Sequence, residues 1–149
     1  MGLKRSGQHF LRPTLLAAYV GVIGMSPGRV VLAVVASPAD HRLIDACLSS
    51  DDITVVAAFS VKEALEKQAE AQAAVVLCDT DVASAWLEAV GLFSGVVPPP
   101  RVILVSRLAD SQMWVLAVGA GAYDVLAKPF QATELRWVVR GALGRAADA

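Results

Sequence analysis

The stretch AVVLCDTDVAS, residues 74–84, decides how the chain is read. An apolar run ends abruptly in two carboxylates one residue apart, Asp79 and Asp81. A short β-branched run bounded by polar residues reads as a strand buried on both faces. Strands of that kind belong to parallel sheets, where functional groups stand at the carboxyl ends. Asp79 and Asp81 are therefore either a reactive pair at the mouth of a sheet or the polar end of a strand.

The pattern recurs along the chain. RVVLAVVA (29–36), ITVVAAF (53–59), AAVVLCD (73–79), RVILVS (101–106) and AYDVLA (122–127) read as five strands. Helical segments lie between them. DHRLIDACL (40–48) places Leu43, Ile44, Cys47 and Leu48 on one face. SVKEALEKQAEA (60–71) opens with Ser60 and has Glu63 three residues on, a capping box. ASAWLEAVGLF (83–93) and DSQMWVLAVGA (110–120) are further helices, and the last runs from about Gln131 to Arg145. GVVPPP (95–100) cannot continue a helix and reads as a loop. Strands alternating with helices imply parallel pairing and right-handed crossovers, hence a doubly wound α/β sandwich.

Composition narrows the function. The chain has 149 residues, 56% of them hydrophobic, which suits one domain with a real core and argues against disorder. Thirteen basic and 14 acidic residues give a net charge of −1, so no electrostatic footprint for nucleic acid is expected. Cys47 and Cys78 sit in apolar runs without metal spacing and read as buried thiols in a reducing, cytoplasmic setting. His9 and His41 have no partners in sequence and read as structural or solvated. In residues 1–28, Lys4, Arg5 and Arg12 precede LLAAYVGVIGM, too short an apolar stretch to span a bilayer. That segment reads as a poorly ordered extension or a mis-assigned start, in preference to a targeting signal. The domain is expected over 29–146, with a tail at 147–149, and no membrane partner is expected.

The strand ends carry the chemistry. The third strand ends in Asp79, the fourth in Ser106, and the fifth runs into Lys128-Pro129-Phe130. A carboxylate, a hydroxyl and an ammonium at one sheet edge suit phosphoryl transfer. The carboxylate can act as nucleophile, and the other two can bind oxygens of the transferred group. The GAGAYD segment (119–124) precedes a strand instead of opening a helix, so a dinucleotide loop is excluded.

VVLCD, VILVS and GAYDVLAKPF, in that order, resemble the receiver domain of bacterial two-component response regulators. The resemblance covers about Arg29 to Arg145. It implies a five-stranded parallel sheet in the flavodoxin-like order 2-1-3-4-5. It also implies a phosphoacceptor at Asp79, a switch hydroxyl at Ser106, a phosphate-pairing lysine at Lys128 and a cis bond before Pro129. A histidine kinase or phosphotransfer protein would then be the phosphoryl source, and a downstream protein the target.

Departures from the family pattern matter as much. Receivers carry two acidic residues at the end of the first strand, which hold Mg²⁺ with the acceptor. Here those positions are Ala36 and Ser37. Mg²⁺ binding, with Asp79 as the remaining carboxylate, is expected to be weakened or absent. Asp40 is expected to point elsewhere from the first turn of its helix. Asp81 is read chiefly as an N-cap of the following helix. Arg107 replaces a usually small residue and is placed to pair with Asp79 or Asp81. Val125 replaces the aromatic that normally swings with the switch hydroxyl.

Three functions compete. A stand-alone receiver switched by phosphorylation comes first. A degenerate receiver, binding partners without phosphoryl transfer, is favoured by Ala36, Ser37 and Val125. VVLCDTDV also fits the first motif of haloacid-dehalogenase-like phosphatases, with Asp79 as nucleophile, Asp81 as general acid, and Ser106 and Lys128 in the later motifs. That reading lacks a further acidic metal site, because Glu134 and Asp148 form no strand-end pair. On the last helix, Leu135, Val138, Val139, Ala142 and Leu143 form the inward stripe. Trp137 lies opposite and, with Trp114 and Val125, marks a surface for a partner or a homodimer.

Overall fold

A computed structural model describes residues 29–148. The extension at 1–28, with its signal-like segment and His9, lies outside the described residues. Five strands form one sheet: β1 (Val30–Val34), β2 (Thr54–Ala58), β3 (Val75–Asp79), β4 (Arg101–Ser106) and β5 (Asp124–Ala127). All pairings are parallel, in the order β2-β1-β3-β4-β5, as the resemblance implied. Five helices connect and follow them: α1 (Pro38–Leu48), α2 (Val61–Ala71), α3 (Trp86–Ser94), α4 (Ser111–Gly119) and α5 (Ala132–Asp148).

The period of two along each strand divides the core into two halves. Val30, Leu32 and Val34 of β1 face one cluster with Ala64 of α2, Val90 and Phe93 of α3, and Ala117 of α4. Val31 and Ala33 face the other, with Ile44 and Leu48 of α1 and Leu135, Val139 and Leu143 of α5. Every residue of β1 and β3 is buried, which explains their unbroken apolar sequences. Each fully buried aliphatic side chain contributes about 1.5–3 kcal/mol over leaving it in water.

Local signals set most helix starts. Ser60 Oγ accepts from Glu63 N–H at 3.0 Å, and Glu63 Oε1 accepts from Phe59 N–H at 2.7 Å. Asp110 caps α4 by accepting from Met113 N–H at 2.8 Å. Gly121, at φ +114°, makes the turn from α4 into β5. Gln68 is buried, but its amide bonds both backbone groups of Ala73, so burial leaves neither end unpaired.

Three expectations need correction. Leu43 is not part of the inward stripe of α1; it is exposed, while Ile44, Cys47 and Leu48 are buried. Helix α3 starts at Trp86 instead of Ala83, with Ala85 at the N-cap position and no side-chain cap. Asp81 is therefore not its N-cap. The final helix runs on to Asp148, through part of the expected tail.

Candidate functional site

Parallel strands in this order deliver their following loops to one edge, and β1, β3, β4 and β5 each contribute residues there. Asp79 closes β3 and is 1% exposed. Its Oδ2 accepts from Lys128 Nζ at 2.6 Å, and its Oδ1 accepts from Asp81 N–H at 2.8 Å. Both oxygens of a buried carboxylate are thus paired, one by a charge-assisted bond. Ser106, 3% exposed at the end of β4, accepts at Oγ from Leu108 N–H at 3.0 Å. Its carbonyl accepts from Lys128 N–H at 3.0 Å, which ties the β5 end to the β4 end. The Lys128–Pro129 bond is cis, as is Val97–Pro98.

Lys128 is the hub. Besides Asp79, its ammonium lies 3.2 Å from Asp40 Oδ2 and 3.5 Å from Asp81 Oδ2. Burial alone would lower its pKa. The hydrogen bonds to Asp79 and Asp40 outweigh that and hold the ammonium above its ordinary value. Asp40 departs from expectation. It does sit in the first turn of α1, yet its carboxylate reaches Lys128. Ser37 is the N-cap, so Asp40 is the third residue of the helix.

Asp81 and Arg107 form the outer layer. An Arg107 guanidinium nitrogen donates to Asp81 Oδ1 at 3.0 Å. That bond, foremost, holds the Asp81 carboxyl below the usual range, and the same bond raises the Arg107 pKa. Arg107 pairs with Asp81 and makes no hydrogen bond to Asp79.

The first-strand side differs. Ala36 offers a methyl group, and Ser37 Oγ already accepts from Asp40 N–H at 3.3 Å. His41 Nε2 bonds the Val35 carbonyl at 2.9 Å, and its ring meets Phe59 edge-on at 4.7 Å, so it is structural. A hard dication wants several free oxygens. Here Asp40, Asp79 and Asp81 are each committed to a cation, and no metal-holding group of three acidic, His or Cys side chains occurs among the described residues. The residues present do not fit a Mg²⁺ site.

The rest of the surface is less chemical. Trp137 is 79% exposed on α5 and Trp114 47% on α4. They flank Asp124, whose Oδ1 accepts from Trp114 Nε1 at 3.1 Å. Val125 is half-buried against the α2–α4 side of the core. A broad groove of about 1110 Å³ opens at the other edge of the sheet, beside Ala74, Arg101, Trp114 and Asp124. It lies far from the Asp79 cluster, with Arg101 over the Tyr123 ring at 5.6 Å. Both cysteines are buried and free. Burial first, and the Asp79 charge second, push the Cys78 thiol up to about 12, which removes it as a nucleophile. No helix of the described residues is long and apolar enough to cross a membrane.

Comparison with known proteins points the same way as the fold. A response regulator from Thermotoga maritima superposes with a TM-score of 0.72 at 23% identity, over 77% of this chain and 97% of that one. A receiver domain protein from Clostridium thermocellum gives 0.70 at 23%, over 79% and 96%. NtrX from Brucella abortus, in complex with ADP, gives 0.71 at 24%, over 79% of this chain but 26% of that one. No curated protein matches in sequence. The family model for the response regulator receiver domain matches residues 31–140, which takes in Asp79, Ser106 and Lys128. With that match spanning most of the chain and the fold agreeing strand for strand, the chain belongs to the response regulator receiver domain family.

Proposed function

We propose that this chain is a receiver in two-component signalling, with Asp79 as phosphoacceptor and output through protein binding. The observation that carries the reading is the 2.6 Å contact between Lys128 Nζ and Asp79 Oδ2, beside the buried Ser106. In the reaction, an Asp79 carboxylate oxygen attacks the phosphorus of a phosphohistidine or acyl phosphate. The new P–O bond forms as the donor's P–N or P–O bond breaks, and the leaving group departs with its electron pair. Lys128 then moves from carboxylate to phosphoryl oxygen, and Ser106 turns its hydroxyl from Leu108 toward the same group. A histidine kinase or phosphotransfer protein in the cytoplasm supplies the phosphoryl group, and the surface around Trp114 and Trp137 meets the target.

A second reading, an interaction module without phosphoryl transfer, is favoured by the burial of Asp79 with both oxygens engaged. Intact mass after incubation with acetyl phosphate, with and without Mg²⁺, separates the two. The expected result is one added phosphate on the parent and none on Asp79→Asn. No phosphate on the parent from acetyl phosphate or a permissive histidine kinase would overturn the first reading in favour of the second.

A further inference from the structure

The mouth of the site holds a chain of alternating charge. Arg107 touches Asp81 Oδ1 at 3.0 Å, Asp81 Oδ2 lies 3.5 Å from Lys128, and Lys128 touches Asp79 at 2.6 Å. Asp40 branches from Lys128 at 3.2 Å. Three carboxylates thus share two cations, both anchored by the β4 and β5 ends. A divalent ion would have to strip Arg107 from Asp81 or Lys128 from Asp79, and shed its own water as well. It would gain little at the first strand, where the Ser37 hydroxyl is spent on its helix.

We propose that Arg107 is the resident cation of this site, taking the place of a divalent metal. It neutralises Asp81 at the pocket mouth, and it transfers from Asp81 to the phosphoryl oxygens as the phosphoryl group moves onto Asp79, so that it stabilises the transfer itself. The second half rests on the acceptor reading above; the first does not. The arginine side chain is 69% exposed, so the guanidinium has room to swing. Its planar fork suits two phosphoryl oxygens at once, which a lysine cannot match. The exchange is non-covalent: one charge-assisted pair is given up for another, and the phosphoryl transfer itself balances as written above.

Mn²⁺ titration, followed by the electron paramagnetic resonance of the free ion, tests the first half on the parent, Arg107→Ala, Arg107→Lys and the double variant Arg107→Ala/Asp81→Asn. Weak binding is expected for the parent and for Arg107→Lys. Arg107→Ala should tighten it roughly fivefold, the worth of one partly exposed charge pair. The double variant should fall back to the parent. Equal affinity of the parent and Arg107→Ala would overturn the resident-cation assignment. For the second half, acetyl phosphate should label the parent at the same rate in EDTA as in Mg²⁺, and label Arg107→Ala more slowly in EDTA. Labelling of the parent abolished by EDTA would overturn it, as would an EDTA rate unchanged in Arg107→Ala. If no chain takes up phosphate in either buffer, the acceptor reading falls and the transfer of Arg107 falls with it. The Mn²⁺ titration still decides whether Arg107 is the resident cation.

Discussion

The two halves of the carboxyl edge are built on different terms. On the β3–β5 side, Asp79, Ser106 and Lys128 are buried or nearly so and tied to each other's strands. On the β1 side, Ala36 contributes no polar group and Ser37 serves only α1. The same backbone frame thus supports a dense polar cluster next to a capped helix start that reaches it through Asp40. Burial decides the energetics of the first half, and local capping decides those of the second.

That contrast can be broken most forcefully at Lys128. Lys128→Ala leaves the buried Asp79 carboxylate without its cation and should cost about 3 kcal/mol in urea unfolding. Asp79→Asn should cost less, because Lys128 keeps Asp40. If the two variants lose equally, the cluster is not organised around the lysine. On the other side, Ser37→Ala should cost only about 1 kcal/mol, the loss of one helix cap, and Ser37→Asp should restore most of it. A larger loss for Ser37→Ala would show that the serine does more than cap its helix.

The smallest effect concerns pH. Asp81 has a lowered pKa in the folded chain, because of its bond from Arg107. Its contribution is therefore present above the unfolded value of about 3.9 and lost as pH falls through the lower folded value. The small difference in melting temperature between the parent and Arg107→Ala should be flat from about pH 5 to 8 and close below about pH 4. A difference that changes near neutrality would point to another titrating group in the pair.

Much of this architecture could be read from residues alone. Strand cores announced themselves as β-branched runs, because β1 and β3 are buried on both faces. The inward stripe of α5 followed from helical period, and Trp137 lies on its exposed face as that period requires. What escaped the reading depends on where a side chain bends. Asp40 lies far from Lys128 in sequence, and only the meeting of the α1 N-terminus and the β5 end at the carboxyl edge of the sheet brings its carboxylate into reach. Asp81 resembled a cap because a polar residue before an apolar stretch usually is one. The chain instead turns through residues 80–85 before α3 begins, which leaves Asp81 to Arg107. The double bond of Gln68 to Ala73 had no sequence signature.

The parallel order β2-β1-β3-β4-β5 has an evolutionary consequence. The polar groups of the edge arrive at separate corners, Asp79 and Asp81 at the β3 end, Ser106 and Arg107 at the β4 end and Lys128 at the β5 end, while the strands themselves are held by apolar faces. A lineage can therefore rewrite one corner of such a site without repaying the change in the core. The residues after β1, Ala36 and Ser37, and the arginine after β4, Arg107, stand on separate loops, so a change at one need not move the other. A receiver of this build is in that sense assembled from exchangeable corners, and its site chemistry can change while its fold stands still.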